Sequence, residues 1–197
     1  MEQFIQSKIS LKFSFLIVFG VAVLFCLVLN SSIDGSNIKI ASVIGQENPN
    51  LPVHLKIPSI NIDANVEYVG FTLSGIMDVP KGFANVAWFN LGPRPGEVGS
   101  SVIDGHSGYK NNKPAVFDNL YKLQKGDEIY IENSNGTIIT FVVSGIKSYD
   151  SESDASSVFA SNDGKSHLNL ITCAGSWNEI LQSHSKRLVV FTDKEIK

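Results

Sequence analysis

The sequence predicts a mostly β domain with short helices, preceded by one long apolar helix. Several short runs alternate apolar and polar side chains with period two, which is the pattern of half-buried strands. Two of these runs are separated by Asn135-Gly136, a pair that is typical of a β-hairpin turn. Near the N-terminus, residues 13–29 are instead apolar almost throughout.

The composition excludes several classes of protein. The 197 residues are 43% hydrophobic with a net charge of −3, so we expect neither a disordered chain nor a nucleic-acid partner. Two cysteines are too few for a disulfide scaffold or a four-cysteine zinc site. The basic residues are almost all lysines, and the two arginines are Arg94 and Arg187. The length suits one domain with appendages.

Residues 13–29 carry no charged side chain and have about the length of helix that crosses a bilayer. Lys8 and Lys12 precede them and Asp34 follows, so the positive-inside rule predicts a cytoplasmic N-terminus. The alternative is a cleaved signal peptide, whose apolar core usually spans about 7–15 residues. Either alternative puts the rest of the chain outside the cytoplasm. The expected segments are a cytoplasmic 1–12, a transmembrane anchor 13–29, a stalk 30–50 and an extracellular domain 51–197.

The strands of the outer domain are predicted from alternation and from the turns that bound them. A first strand at 53–57 is stopped by Pro58, because proline cannot donate to a strand ladder. Further strands are predicted at 60–63, 66–69, 101–105, 128–132, 137–143, 168–172 and 188–192. Many short strands with glycine and proline between them indicate a barrel or a sandwich.

One helix and one long loop are predicted between these strands. The helix would begin at Pro114, which suits a first turn, and would end before Gly126. Its apolar residues are Ala115, Val116, Phe117, Leu120 and Leu123. Residues 148–167 are polar, and a loop of that length in a compact domain is usually functional.

Cys173 is a candidate nucleophile. It follows a predicted strand directly and precedes Ala174-Gly175, where the backbone can approach a ligand. With Cys26 in the anchor, Cys173 has no disulfide partner in the outer domain. The alternative is a small buried side chain without chemistry, which is the common fate of a free cysteine.

A nucleophilic thiol needs a neighbouring base or cation. Among the four histidines, His106 lies at the end of a predicted strand between two glycines, and His184 is the next candidate. Arg187 could donate two parallel hydrogen bonds to a developing oxyanion, which lysine does less well. An idle histidine and an ordinary ion pair are the alternative interpretations.

These motifs together resemble the sortases, which are membrane-anchored cysteine transpeptidases of the bacterial cell surface. Residues 169–173 (NLITC) resemble the family's TLxTC motif, with Asn169 in place of the first threonine. Residues 102–106 (VIDGH) resemble the strand that carries the family histidine, and Arg187 matches the family arginine. The likeness covers about residues 51–193, and the segments around 93–99 and 114–127 look most like class F and related short sortases.

The resemblance implies an eight-stranded barrel with Cys173 and Arg187 on adjacent strands and His106 facing them. Cys173 would attack the carbonyl after Thr in an LPxTG-like sorting signal, and His106 would exchange protons with the leaving and entering amines. Arg187 would stabilise the oxyanion with support from Thr172 and Ala174.

The resemblance also implies the groove and the partners. The loop 148–167, with Val158 and Phe159, and the loop 174–186, with Trp177, would form the walls of the groove. The expected partners are surface proteins with a C-terminal sorting signal, an amine of a peptidoglycan precursor or a pilin lysine, and the membrane through the anchor.

No cofactor and no metal ion are expected. Asp150, Glu152 and Asp154 form an acidic stretch, but it lacks the glycine and terminal glutamate of an EF-hand loop. Two alternatives to a transpeptidase remain open from the sequence. One is a surface cysteine protease that uses water as acceptor, and the other is a non-catalytic membrane-tethered β-domain.

Overall fold

The computed structural model describes residues 50–180 and 182–196. The predicted segments 1–12 and 13–29, and all but the last residue of the predicted stalk 30–50, lie outside the described residues. Within the described part, no helix is long and apolar enough to cross a membrane. The strands are β1 (Pro52–Ile57), β2 (Ile62–Val69), β3 (Val86–Phe89), β4 (Gly99–Gly105), β5 (Tyr109–Lys110), β6 (Lys113–Pro114), β7 (Glu128–Asn133), β8 (Ile138–Asp150), β9 (Ser166–Asn178) and β10 (Ser183–Lys194). The helical elements are 3₁₀ turns at Pro58–Ile60 and Leu120–Lys122 and the short α1 (Ser156–Phe159).

Eight of these strands close into a barrel in the order β1-β2-β3-β4-β9-β10-β8-β7. Two neighbouring pairs are parallel, β2 with β3 and β4 with β9, and the other described pairs are antiparallel. The small β5–β6 ribbon lies apart from the barrel sheet. The prediction of a mostly β, eight-stranded barrel is therefore confirmed.

Apolar side chains fill the barrel and also cover part of its outer face. Alternate residues of β4, β9 and β10 point inward, including the fully buried Ile103, Leu170 and Val190. Burial of such a side chain contributes about 1.5–3 kcal/mol relative to exposure. Their neighbours Val102 and Val189 point outward and pack with other apolar residues, here called the outer cluster (Phe89, Val102, Val158, Val189). One face of these three strands is thus an apolar surface outside the barrel.

The predicted β7–β8 hairpin forms, but its turn spans more than Asn135-Gly136. β7 ends at Asn133 and β8 begins at Ile138, and the Gly136 N–H donates to the Asn133 carbonyl at 2.8 Å. Strand β8 then runs to residue 150, so the long loop predicted from residue 148 begins later and contains α1.

The segment 174–186, predicted as a loop, is mostly a two-stranded extension of the sheet. Ala174 pairs with Lys186 and Trp177 pairs with His184, so β9 and β10 continue past the core as a hairpin. This part projects beyond the barrel's apolar interior, and its side chains therefore show no apolar–polar alternation.

The prediction of a helix at 114–125 is wrong. Pro114 belongs to β6, and a 3₁₀ turn begins at Leu120. The backbone N–H groups of Ala115 and Phe117 donate to Gly108 and His106 rather than along a helix. The apolar residues of this segment are spaced as they are because successive turns of the chain each bury a side chain. The buried side chains are Ala115, Phe117, Leu120 and Leu123.

Candidate active site

The pairing of β9 with β10 sets Cys173 beside Arg187. The two residues are directly opposed in the antiparallel register. Opposed residues point to the same face of a sheet, with Cβ atoms about 4.5–5.5 Å apart. Cys173 is a free, half-buried thiol on the outer face of the barrel. The sequence-predicted pair is therefore brought together by strand register.

The parallel pairing of β4 with β9 brings His106 to the same end of the sheet. Strand β4 ends at Gly105, whose carbonyl accepts a 2.6 Å hydrogen bond from the Thr172 hydroxyl. The Ser107 hydroxyl donates to the Cys173 carbonyl at 2.7 Å. His106 thus lies between two residues that are tied to the strand carrying the cysteine, which fixes its backbone beside the thiol.

Gly105 permits the close packing that supports His106. A Cβ atom at this position would lie 2.5 Å from the Phe117 ring, closer than packed carbon atoms approach. The Phe117 N–H donates to the His106 carbonyl at 2.9 Å. The segment mistaken for a helix therefore supports the histidine through its backbone.

The His106 ring contacts the loop between β2 and β3. Its Nε2 lies 2.8 Å from the Pro80 carbonyl oxygen. Because a carbonyl oxygen only accepts hydrogen bonds, Nε2 must carry a proton. The ring also stacks on Phe83, with centroids 5.5 Å apart and planes inclined by 22°.

Arg187 is held by its own hairpin. One terminal nitrogen donates to the carbonyls of His184 and Lys186 at 3.0 and 2.9 Å, and the other donates to the Ser183 hydroxyl at 3.3 Å. A guanidinium has five N–H donors in one plane, so it retains capacity to bind an oxyanion after these three bonds. The hairpin therefore orients the guanidinium beside Cys173.

The thiol is predominantly protonated at neutral pH. Burial raises the pKa of Cys173 above its ordinary value, the Arg187 charge lowers this pKa, and the Asp104 charge raises it. The thiolate is the nucleophilic form of cysteine. Formation of that thiolate near neutral pH therefore requires a base, and His106 at the end of the adjacent strand β4 is the candidate for that role.

Asp104 is a residue of this site that the sequence argument missed. Burial raises the pKa of Asp104 to about 6, although the charges of His106 and Arg187 and the Gly105 N–H favour its ionised form. It lies two residues before His106 and pairs with Ile171 of β9. The signal in the sequence is a carboxylate at the end of a predicted strand, two residues before the candidate histidine.

The predicted groove residues occupy different depths. Val158 is fully buried in the outer cluster, so its side chain offers no surface to a bound peptide. Phe159 is 37% exposed and packs edge-on against Phe89, with centroids 5.8 Å apart. Trp177 is 47% exposed on the β9–β10 hairpin. Phe159 and Trp177 are therefore the two of these residues that offer apolar surface.

Ala174 and His184 both lie on the hairpin. Ala174 directly follows the cysteine, so its backbone N–H is close to the reacting sulfur along the chain. The His184 ring packs edge-on against Trp177, and its Nδ1 lies 3.2 Å from the Gly175 carbonyl. The His184 carbonyl accepts a hydrogen bond from the Arg187 guanidinium, so His184 contributes to the orientation of that group.

The described residues contain no group of three His, Cys, Asp or Glu side chains arranged to hold a metal ion. In the acidic stretch, the Asp154 carboxylate accepts the Ser156 N–H at 2.8 Å at the start of α1. That carboxylate therefore closes a local turn with the backbone two residues on.

A cavity of about 280 Å³ lies away from the site. Its lining includes Arg94, Gly96, Asn133, Ile139 and Lys194, and none of the candidate catalytic residues. The catalytic candidates instead lie on the outer face of the barrel, where a chain can be bound in an extended form.

A barrel that sets a thiol opposite a guanidinium, with an imidazole at the end of the adjacent strand, is the arrangement of a cysteine-dependent enzyme. The family model described as Sortase domain matches residues 55–195, most of the chain. The chain belongs to the sortase family, whose members are transpeptidases.

Several solved structures are similar to this chain. Sortase C-1 from Actinomyces oris has 25% sequence identity and a TM-score of 0.59, over 74% of this chain and 76% of that one. The Clostridium perfringens sortase D5 transpeptidase has 25% identity and a TM-score of 0.54, over 74% and 79%. Sortase A from Corynebacterium diphtheriae, at 24% identity, shares the fold with a TM-score of 0.58 over 75% and 61%.

A comparison with curated proteins found no match. The solved structures named above are of sortase classes A, C and D. The class F-like character expected from the sequence therefore stays a prediction.

Proposed function

We propose that this chain is a sortase transpeptidase that cleaves an LPxTG-like sorting signal after Thr and transfers the protein to an amine of the cell envelope. The observation that carries the proposal is the direct pairing of Cys173 with Arg187, beside the strand end that holds His106. A thiol, a cation and a base on one face are the groups that acyl transfer requires.

In the first step, His106 Nδ1 takes the proton of the Cys173 thiol, and the sulfur attacks the carbonyl carbon of the Thr residue. The C–N bond then breaks, a thioester forms, and His106 gives that proton to the departing amine. Because Nε2 donates to the Pro80 carbonyl, Nδ1 is the nitrogen that exchanges this proton. The guanidinium of Arg187 and the backbone N–H of Ala174 stabilise the tetrahedral oxyanion.

In the second step, an amine attacks the thioester carbonyl. His106 Nδ1 takes a proton from the amine, a new amide bond forms, and the Cys173 sulfur departs. Thr172 keeps the strand carrying the cysteine in place through its hydrogen bond to Gly105. A peptidoglycan precursor or a pilin lysine would supply the amine.

The outer face suits an extended peptide with apolar residues. The outer cluster lies beneath the face, and Phe159 and Trp177 offer exposed rings. These surfaces support binding of the leucine and proline of a sorting signal. With the proposed substrates and the proposed anchor at 13–29, the enzyme would act on the outer side of the cell membrane.

The test is a ligation assay with the purified chain. An LPxTG-type peptide and a short amine peptide are incubated together, and products are measured by mass spectrometry. The wild type is expected to form the ligated product, whereas Cys173→Ala forms none and keeps its fold by circular dichroism. His106→Ala and Arg187→Ala should each lose about a hundredfold or more in turnover, because both act on the same transition state.

Lys186→Ala is the matched control, because Lys186 is an exposed cation adjacent to Arg187. It should retain near-normal turnover. Hydrolysis of the peptide without ligation in the presence of amine would indicate a protease instead. Full activity in Cys173→Ala would contradict a catalytic role for the thiol.

A further inference from the structure

A loop outside the barrel, residues 80–85, makes two contacts with the His106 ring, a hydrogen bond and a ring stack. The Pro80 carbonyl accepts from Nε2 at 2.8 Å, and the Phe83 ring stacks on the imidazole. Among the described residues, the Pro80 carbonyl is the hydrogen-bond partner of the His106 imidazole. The backbone of His106 is fixed by its own neighbours, but the orientation of its ring depends on this loop.

Glu67 holds the loop in place. One carboxylate oxygen accepts the Lys81 N–H at 2.8 Å, and the other accepts the Gly82 N–H at 2.9 Å and the Asn85 amide at 2.8 Å. Hydrogen bonds to an ionised carboxylate are about twice as strong as neutral ones. The Asn85 amide first, and then the Lys81 and Gly82 N–H groups, lower the pKa of Glu67, so it stays ionised at neutral pH.

Glu67 is anchored in the barrel itself. It lies on β2 and pairs with Ala87 of β3, in one of the two parallel strand pairs. The loop 80–85 is the last part of the connection from β2 to β3, and the carboxylate ties this part to the strand pair at its base. The Phe83 carbonyl also accepts the Val116 N–H at 3.2 Å, which joins the loop to the segment that supports His106.

We propose that Glu67 is a positioning residue for His106, acting through the 80–85 loop. A neutral imidazole has one donor nitrogen and one acceptor nitrogen, and the Pro80 carbonyl selects the form with the proton on Nε2. Nδ1 is then left free to accept a proton from the incoming amine. The Phe83 ring holds the plane of the imidazole, and Glu67 holds both contacts.

This inference rests on the proposed function only for the catalytic role of His106. The selection of one tautomer is a property of the resting protein and can be measured without substrate. A failure of the proposed function and a failure of this inference are therefore distinguishable.

The experiment combines NMR with kinetics on the purified full-length chain. Nitrogen-15 shifts of the His106 ring report which nitrogen carries the proton. The wild type should show the Nε2–H tautomer, and Glu67→Ala should show a mixture of both tautomers. In the ligation assay, kcat of Glu67→Ala should fall about 10–100-fold, as expected for a misplaced catalytic group. KM for the sorting peptide should change by less than about twofold, since peptide binding uses other residues.

Two further variants perturb the same contacts differently. Glu67→Gln keeps one acceptor oxygen but turns an amide donor toward a backbone donor, so its tautomer ratio and kcat should be intermediate. In Gly82→Ala, the new Cβ would lie 2.5 Å from the Asn85 amide nitrogen and 3.0 Å from the Glu67 oxygen. This variant separates the loop from an intact carboxylate and should reproduce the tautomer mixture, even if Glu67→Ala does not fold.

Glu132→Ala is the matched control, because Glu132 is also partly buried on a barrel strand but lies on β7 opposite His54. It should leave the tautomer and kcat unchanged. Folded Glu67→Ala and Gly82→Ala with an unchanged Nε2–H signal would overturn the inference. If the wild type ligates no peptide, the proposed function fails, and the tautomer measurement still decides the role of Glu67.

Discussion

Replacement of Asp104 by asparagine should stabilise the folded protein at neutral pH. Burial raises the pKa of Asp104 from its ordinary value of 3.8 to about 6, because an ionised carboxylate loses its hydration there. Asparagine has nearly the same shape and no charge to desolvate. The charged residue is therefore retained at the site at a cost to stability.

The size of this cost follows from the two pKa values. A difference of about two pKa units corresponds to about 3 kcal/mol, since each unit is worth about 1.4 kcal/mol. The folded state holds the proton more tightly than the unfolded chain, so the stability of the wild type falls as the pH rises from about 4 to above 6. The Asp104→Asn variant lacks this titration. Its advantage should approach about 3 kcal/mol above pH 7 and vanish below about pH 4.

Urea unfolding of both proteins between about pH 4 and pH 8 measures this difference, because every other titration is common to the two chains. A difference in unfolding free energy that does not change with pH would refute the reasoning, as would a less stable variant at pH 8. The same substitution should move alkylation of Cys173 to lower pH, because the Asp104 charge raises the pKa of that thiol.

Two further predictions concern groups that hold the site and its strand. Thr172→Val should lower the unfolding free energy by about 1–3 kcal/mol, because the buried Gly105 carbonyl loses the hydroxyl that donates to it at 2.6 Å. Unchanged stability in urea would contradict this prediction. Burial opposes the charged form of His167, but hydrogen bonds to Asp163 and Asp193 raise the pKa of this side chain above 6.5. The ion pairs of His167 therefore stabilise the fold below pH 6.5. That stability is lost as the pH rises through the folded-state pKa. The stability lost in His167→Gln should therefore be larger at pH 5 than at pH 8, and an equal loss at both would refute the assignment.

The strands that the sequence predicts best are those with one buried and one solvated face. β1, β7 and the first part of β8 alternate clearly, and they form where expected. β3 was not predicted because all four of its residues are buried. A strand buried on both faces shows a continuous apolar run, which cannot be told from other buried segments by periodicity.

The catalytic candidates were accessible to sequence reasoning because they follow recognisable strand ends. Cys173 follows the predicted strand 168–172 and His106 follows the predicted strand 101–105, although β9 in fact continues through Cys173 to Asn178. The strand register shows that Arg187 is the neighbour of the thiol. The surroundings of His106 were not accessible. Pro80 and Phe83 are more than 20 residues away in sequence, and the antiparallel pairing of Val86 with Gly105 brings the end of that loop beside the histidine.

The central claim is that Cys173 carries the acyl group of the sorting signal. The most direct measurement uses an LPxT peptide with a thiol-reactive group in place of the scissile amide, followed by proteolysis and mass spectrometry of the adduct. We expect one adduct, on Cys173, and a large loss of its rate of formation in Arg187→Ala. An adduct on another residue would rule out Cys173 as the nucleophile, and formation at the same rate in Arg187→Ala would rule out oxyanion stabilisation by Arg187.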